Sequence, residues 1–220
     1  MPIITAITTL RRRPRAEVHI DGVLGPTLRL DVIAISKLAV GQELAWPRRR
    51  ELEDESQRLD AIEAALRLLA MQQRSEKDLR DRLKRRGLRQ AAVDAAVTRM
   101  QELGYLNDAA YARSYVEARQ ASTPRSRRAL SFELSRHGVD RELAGEAVSE
   151  LSDADAAYNA AQRRLRALRN LDRQAFTRRL GNFLAARGFS YGTARATIDR
   201  CWQELADEGM TAEGDDEPWE

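Results

Sequence analysis

Clustered basic side chains are the residues here whose types and spacing could do chemistry, and that chemistry is the binding of phosphate. Lys77, Arg80, Lys84 and Arg85 form one cluster, Arg125, Arg127 and Arg128 a second, Arg163 and Arg164 a third that runs on to Arg169, and Arg178 and Arg179 a fourth behind Arg173. Arg48, Arg49 and Arg50 add a run nearer the start. A guanidinium presents a planar fork of donors that matches phosphate oxygens, and a lysine adds a mobile point charge. On an ideal helix Lys77, Arg80 and Lys84 fall within roughly 60° of one another. Overall the chain carries 37 Lys and Arg against 34 Asp and Glu, a net charge of +3. Seven of those acids crowd into residues 207–220, which hold no basic residue, so the remainder is considerably more basic than the total suggests. Basic stripes of this kind make a track for a polyanion. The same stripes also fit a solvated, highly charged helical surface.

Other side chains offer little chemistry. His19 and His137 have no Cys or His neighbour at metal-ligand spacing, so neither a metal site nor a cofactor is expected. Cys201 is the single cysteine, which excludes an internal disulfide, and it occupies a periodic apolar position where a small buried residue is wanted. Asp78 and Asp81 stand four residues before Arg82 and Arg85, the spacing of helix-surface ion pairs. No phosphate-cradling glycine loop, nucleophile elbow or HExxH is present, and no enzyme is read here. No apolar run is long enough to span a membrane and the start lacks a signal-peptide core, so a soluble, cytoplasmic protein is expected.

The elements that must carry these side chains are announced by three glycines about 50 residues apart, Gly87, Gly138 and Gly188. Each has a leucine four residues earlier (Leu83, Leu134, Leu184) and another eight earlier (Leu79, Leu130, Leu180). Each is preceded by a basic or potentially basic residue (Arg86, His137, Arg187) and followed by an apolar one (Leu88, Val139, Phe189). Glycine adopts the left-handed conformation that ends a helix, and the next apolar residue then folds back onto the last turn. These are structural caps, repeated three times. Apolar positions continue downstream at offsets of one helix face: Val93, Val97 and Met100, then Ala144, Val148 and Leu151, then Ala194, Ile198 and Cys201. Ser75, Asp108, Thr123, Asp140, Asp153, Asp172 and Ser190 are plausible helix starts.

The periodicity predicts nine helices in three repeats of three, residues 57–107, 108–152 and 153–207. A three-helix unit of this size buries little surface alone, so an all-α, elongated and curved tandem array of a monomer is expected. Residues 1–50 read as a small β-containing cap, with strands over Ile3–Thr9, Ala16–Ile20 and Leu28–Val32 and a turn at Asp21-Gly22. Residues 208–220 read as a flexible acidic tail able to compete with phosphate for nearby arginines.

The stretch LRLLAMQQRSEKDLRDRLKRRG, followed by MQELGYLNDAAYARSYVEAR, resembles the RecX family, the modulators of the RecA recombinase. Gly104-Tyr105-Leu106-Asn107-Asp108 with Tyr111-Ala112 is its most specific part, and the resemblance runs over residues 57–205. The chain departs from the family pattern at Gln72, where a basic residue is usual, and near Pro124–Ser126, where a glycine is usual. The resemblance implies tandem three-helix repeats that bind RecA and its filament on single-stranded DNA. It further implies suppression of ATP hydrolysis, strand exchange and filament growth in recombinational DNA repair and the SOS response. A stand-alone DNA-binding helical repeat protein and a scaffold with no DNA role are the alternatives.

Overall fold

In the computed structural model, which describes residues 1–207, the chain forms three strands and ten helices. It divides into two units, the second beginning at Asp108. The acidic segment 208–220 lies outside the described residues.

The first unit opens with an antiparallel meander, β1 (Ile4–Thr9), β2 (Arg15–Ile20) and β3 (Val23–Arg29), in that order across the sheet. Asp21 and Gly22 join β2 to β3 with φ of 50° and 81°, the paired positive values of a tight hairpin turn. The third strand does not extend through Leu28–Val32 as the alternation predicts. It ends at Arg29, and Leu30–Ile35 forms a short helix, α1. Leu28 and Val32 are both buried, which a strand end followed by a helical turn achieves as well as a straight strand. Asp31 accepts from the Val32 amide and from the Arg29 guanidinium, fixing that turn.

Helix α2 (Trp46–Met71) begins well before residue 57, the expected start of the first repeat, and the Arg48–Arg50 run lies in its first turns. Pro47 suits the start, where its missing amide costs nothing. Its first half buries Leu52 against Ile4, Val18, Leu28, Val32 and Leu44 beneath the sheet. Its second half buries Ala61, Ala65 and Leu68 against α3 (Glu76–Lys84) and α4 (Gln90–Glu102), through Leu79, Leu83, Val93, Val97 and Met100. Arg29 ties sheet to helix by donating to Asp60 at 3.1 Å and Glu63 at 2.7 Å. The cap and the first three-helix group therefore share one long helix.

The second unit holds two further groups. Helices α5 (Asp108–Ser122), α6 (Arg127–Arg136) and α7 (Arg141–Val148) close over Ala112, Val116, Leu130, Leu134, Val139, Ala144 and Val148. Helices α8 (Asp153–Leu168), α9 (Arg173–Ala185) and α10 (Tyr191–Asp207) close over a larger core that includes Phe176, Leu180, Leu184, Phe189, Ile198 and Cys201. Thus nine of the ten helices fall into three groups of three, and α1 is the addition.

Gly87, Gly138 and Gly188 end α3, α6 and α9 with φ of 77°, 83° and 84°. At Gly138 the glycine amide donates to Ser135 O and Val139 N to Leu134 O, and Gly188 repeats the pair with Ala185 and Leu184. This double bond pattern is the Schellman stop. Helix starts use Ser75, Asp140 and Asp172, whose side chains accept amides of the first turn. Thr123 and Asp153 are not caps; Ser126 and Ser152 take those roles. Thr123 still closes α5 by donating its amide to Arg119 O, and α6 starts later, where Ser126 can cap and Leu130 can face the core.

Cys201 is fully buried, and burial pushes its thiol up to about 11. It should therefore resist a thiol reagent such as DTNB at pH 8 and react stoichiometrically once denaturant is added. Rapid labelling of the native protein would place Cys201 outside the core described.

Candidate nucleic-acid interface

The basic residues do not form one class. Arg80 donates to Glu76 at 2.7 Å and also pairs with Asp94 of α4, so it ties two helices together. It is only partly exposed, and its charge is spent inside the fold; the stripe with Lys77 and Lys84 is reduced to the two lysines. Lys77, Lys84 and Arg85 are exposed, and among the described residues Arg85 donates only to the backbone carbonyl of Asp81, at 3.2 Å. Charges of that kind remain available to a partner.

Arg125 pairs with Glu133 at 2.8 Å and holds the loop between α5 and α6 against α6. Arg119 reaches the same carboxylate at 3.2 Å, and the Tyr115 hydroxyl donates to it at 2.7 Å. Arg127 and Arg128 are exposed in the first turn of α6, which contains no acidic residue. Positive charge opposes the helix dipole there, so stability does not explain these two arginines. Arg163 donates through two guanidinium nitrogens to the carbonyls of Ala121 and Ser122. Arg164 is exposed, with its guanidinium 5.0 Å from the Phe183 ring. Arg178 and Arg179 are exposed on α9.

A regularity emerges once exposure is known. Lys77, Arg128 and Arg178 each stand ten residues before the glycine that ends their helix. All three are exposed, and none meets a carboxylate in an ion pair among the described residues. The same slot of the second helix in every group thus carries an uncompensated cation. The signal was present in the sequence but hidden, because clustering by charge density ranked Arg80 beside its exposed neighbours. Arg187, the basic residue before the Gly188 stop, belongs to none of the clusters. Its guanidinium lies 3.7 Å from the Phe183 centroid. Burial, and then the charges of Arg125 and Arg164, hold its pKa below the usual arginine range.

Among the described residues no group of His, Cys, Asp and Glu could hold a metal ion, and no helix is long and apolar enough to cross a membrane.

Comparison with known proteins gives this arrangement a family. Models of the first, second and third three-helix domains of RecX match residues 61–100, 107–148 and 152–198. A Regulatory protein RecX from Streptomyces lividans is 37% identical over 165 residues, covering 69% of this chain and 88% of that protein. The chain belongs to the RecX family. A Regulatory protein RecX from Amycolatopsis mediterranei is 35% identical over 151 residues, covering 67% of this chain and 86% of the relative. A crystal structure of regulatory protein RecX superposes with a TM-score of 0.65 at 21% identity, covering 90% of this chain and all of that one. The RecX structure from Lactobacillus salivarius gives 0.57 at 23% identity over 68% of this chain and 97% of that one. At those identities the two structures speak for the fold. The RecX domain matches fall on α2–α4, α5–α7 and α8–α10, so each domain supplies one slot of the repeated cation.

Proposed function

We propose that this chain regulates the RecA recombinase without catalysing a reaction itself. It binds RecA and the filament that RecA forms on single-stranded DNA, and it inhibits RecA's ATP hydrolysis, strand exchange and filament growth. The observation that carries this reading is the repeated exposed cation, Lys77, Arg128 and Arg178, one in each of three family domains. A filament is itself a repeat, of protein subunits and of phosphates. A ligand with three similar domains engages it at several points, and each contact after the first forms at high effective concentration. Lys84, Arg85, Arg127 and Arg179 extend the exposed cationic surface around those slots.

The test is RecA-catalysed ATP hydrolysis on single-stranded DNA, measured while this protein is titrated in. Inhibition should be complete below one molecule per RecA subunit, because one chain engages more than one subunit. A variant with Lys77, Arg128 and Arg178 all changed to Glu should need at least about tenfold more protein, since each lost phosphate contact lowers affinity and flattens its salt dependence. Stimulation, or no effect at equimolar protein, overturns the reading.

A further inference from the structure

A pocket of about 270 Å³ opens between the loop joining α5 to α6 and helices α8 and α9. Thr123, Pro124, Arg163, Arg164, Phe183 and Arg187 form most of its wall, and all belong to the second unit. The chemistry of that wall is one-sided. Three of these side chains are guanidinium groups, and none pairs with a carboxylate among the described residues. Arg163 is anchored to loop carbonyls, which fixes its position while leaving its charge unbalanced. Arg164 and Arg187 rest against Phe183, whose ring favours cations and orients them but cannot neutralise them.

Two buried polar atoms of the wall, Thr123 Oγ1 and Arg187 Nε, have no hydrogen-bond partner among the described residues, and neither has the Nε of Arg125, which lies outside the wall in the same loop as Thr123. Buried donors ordinarily find an acceptor, so a concentration of orphans beside unbalanced charge marks a place shaped around an anion. The depressed pKa of Arg187 agrees, since its charge is disfavoured by burial and by Arg125 and Arg164 until a negative group arrives. The geometry also discriminates between anions. A carboxylate is planar and one guanidinium fork satisfies it, whereas phosphate is tetrahedral and accepts from donors arriving on several sides. Here the donors come from three segments: the loop, α8 and the turn that follows α9.

We propose that this pocket is a phosphate site that seats one phosphodiester of a single nucleic-acid strand, with Arg164 and Arg187 as charged donors and Thr123 Oγ1 as a neutral one. It rests on the nucleic-acid half of the functional reading and not on contact with RecA, so the test omits the recombinase. Binding of a fluorescent oligothymidylate to the full chain is followed by anisotropy across a salt series. Arg164→Gln and Arg187→Gln should each weaken binding about tenfold, the scale of one charge-assisted hydrogen bond. Each should also flatten the slope of log affinity against log salt. Arg166→Gln removes the same charge from an exposed position two residues along α8, facing away from the pocket, and should change affinity less than about twofold. Equal losses from Arg164→Gln and Arg166→Gln would show diffuse attraction and overturn the site. So would competition by an oligoglutamate peptide as effective as that by unlabelled oligothymidylate, because the occupant would then be a carboxylate. Inorganic phosphate should raise the melting temperature of the parent above acetate at matched ionic strength, and should do so less in either variant. Phosphate stabilisation without oligothymidylate binding would assign the pocket to a free anion and overturn the strand. Arg164 is exposed, so its variant folds and keeps the test decisive if Arg187→Gln proves unstable.

Discussion

Replacing Gly188 with alanine should lower stability by about 3 kcal/mol, whereas the same change at Gly87 should cost only about 1 kcal/mol. Both glycines end a helix at positive φ, 84° and 77°, so an added side chain meets similar backbone strain at each. Their surroundings differ. A Cβ on Gly87 would have nothing within 4 Å. A Cβ on Gly188 would stand 2.7 Å from Ser126 Oγ and 2.8 Å from the Cβ of Ala129. Ser126 Oγ accepts the Ala129 amide as the cap of α6, and the Ser126 amide donates to Arg187 O at 3.2 Å. Displacing that hydroxyl loosens a cap in a different three-helix group, worth about a further 1 kcal/mol. At this chain length the difference between the two variants corresponds to roughly 4–8 °C in melting temperature. Scanning calorimetry of Gly87→Ala and Gly188→Ala is the measurement. Variants that melt within a degree of each other would mean that the end of α9 does not press on the start of α6.

Glu133→Ala should destabilise the protein by about 2 kcal/mol and, against that trend, tighten its binding to single-stranded DNA at low salt. The carboxylate is largely buried and gathers Tyr115, Arg119 and Arg125. Removing it strands two guanidinium groups and a phenol that have no other carboxylate nearby among the described residues, and uncompensated charges of this kind cost more than a surface pair is worth. Because Arg119 and Arg125 each remain about a third exposed, water recovers part of the loss. The liberated Arg125 lies close enough to lower the pKa of Arg187, so the same change adds positive potential beside the pocket. Glu133→Gln, which keeps the shape and some acceptor capacity, should retain at least half of the stability. A variant that loses stability and DNA affinity together would show that Glu133 orders the binding surface rather than restraining its charge.

Helix ends and their glycines were legible because they are local: a leucine, a glycine and an apolar residue at fixed offsets specify a Schellman stop whatever surrounds them. The three-group arrangement followed from that repeat. What escaped was decided by neighbours distant in sequence. Arg80 looks like a free cation on its own helix, and only the placement of Asp94 on α4 reveals it as a tie. Arg187 matches the helix dipole by position, yet its setting is created by Phe183 one turn earlier and by Arg125 and Arg164 from other segments. The start of α2 is obscured by Pro47 and three consecutive arginines, which carry no apolar periodicity. Leu52 and Leu59, seven residues apart on one helix face, were the available signal, since both pack into the core under the sheet. Leu28–Val32 failed for a related reason, because a strand end and one helical turn bury the same two side chains.

Helix α2 also limits how this protein can be cut and rejoined. Its 26 residues run without interruption from beneath the sheet into the first three-helix group. A graft made at the edge of that domain's family match, near residue 61, would sever the helix in mid-course and leave Leu52 with no sheet to cover, or the sheet with no Leu52. A graft into this chain therefore has to carry residues 1–107 as a single cassette. Here the first three-helix domain and its sheet stand or fall together.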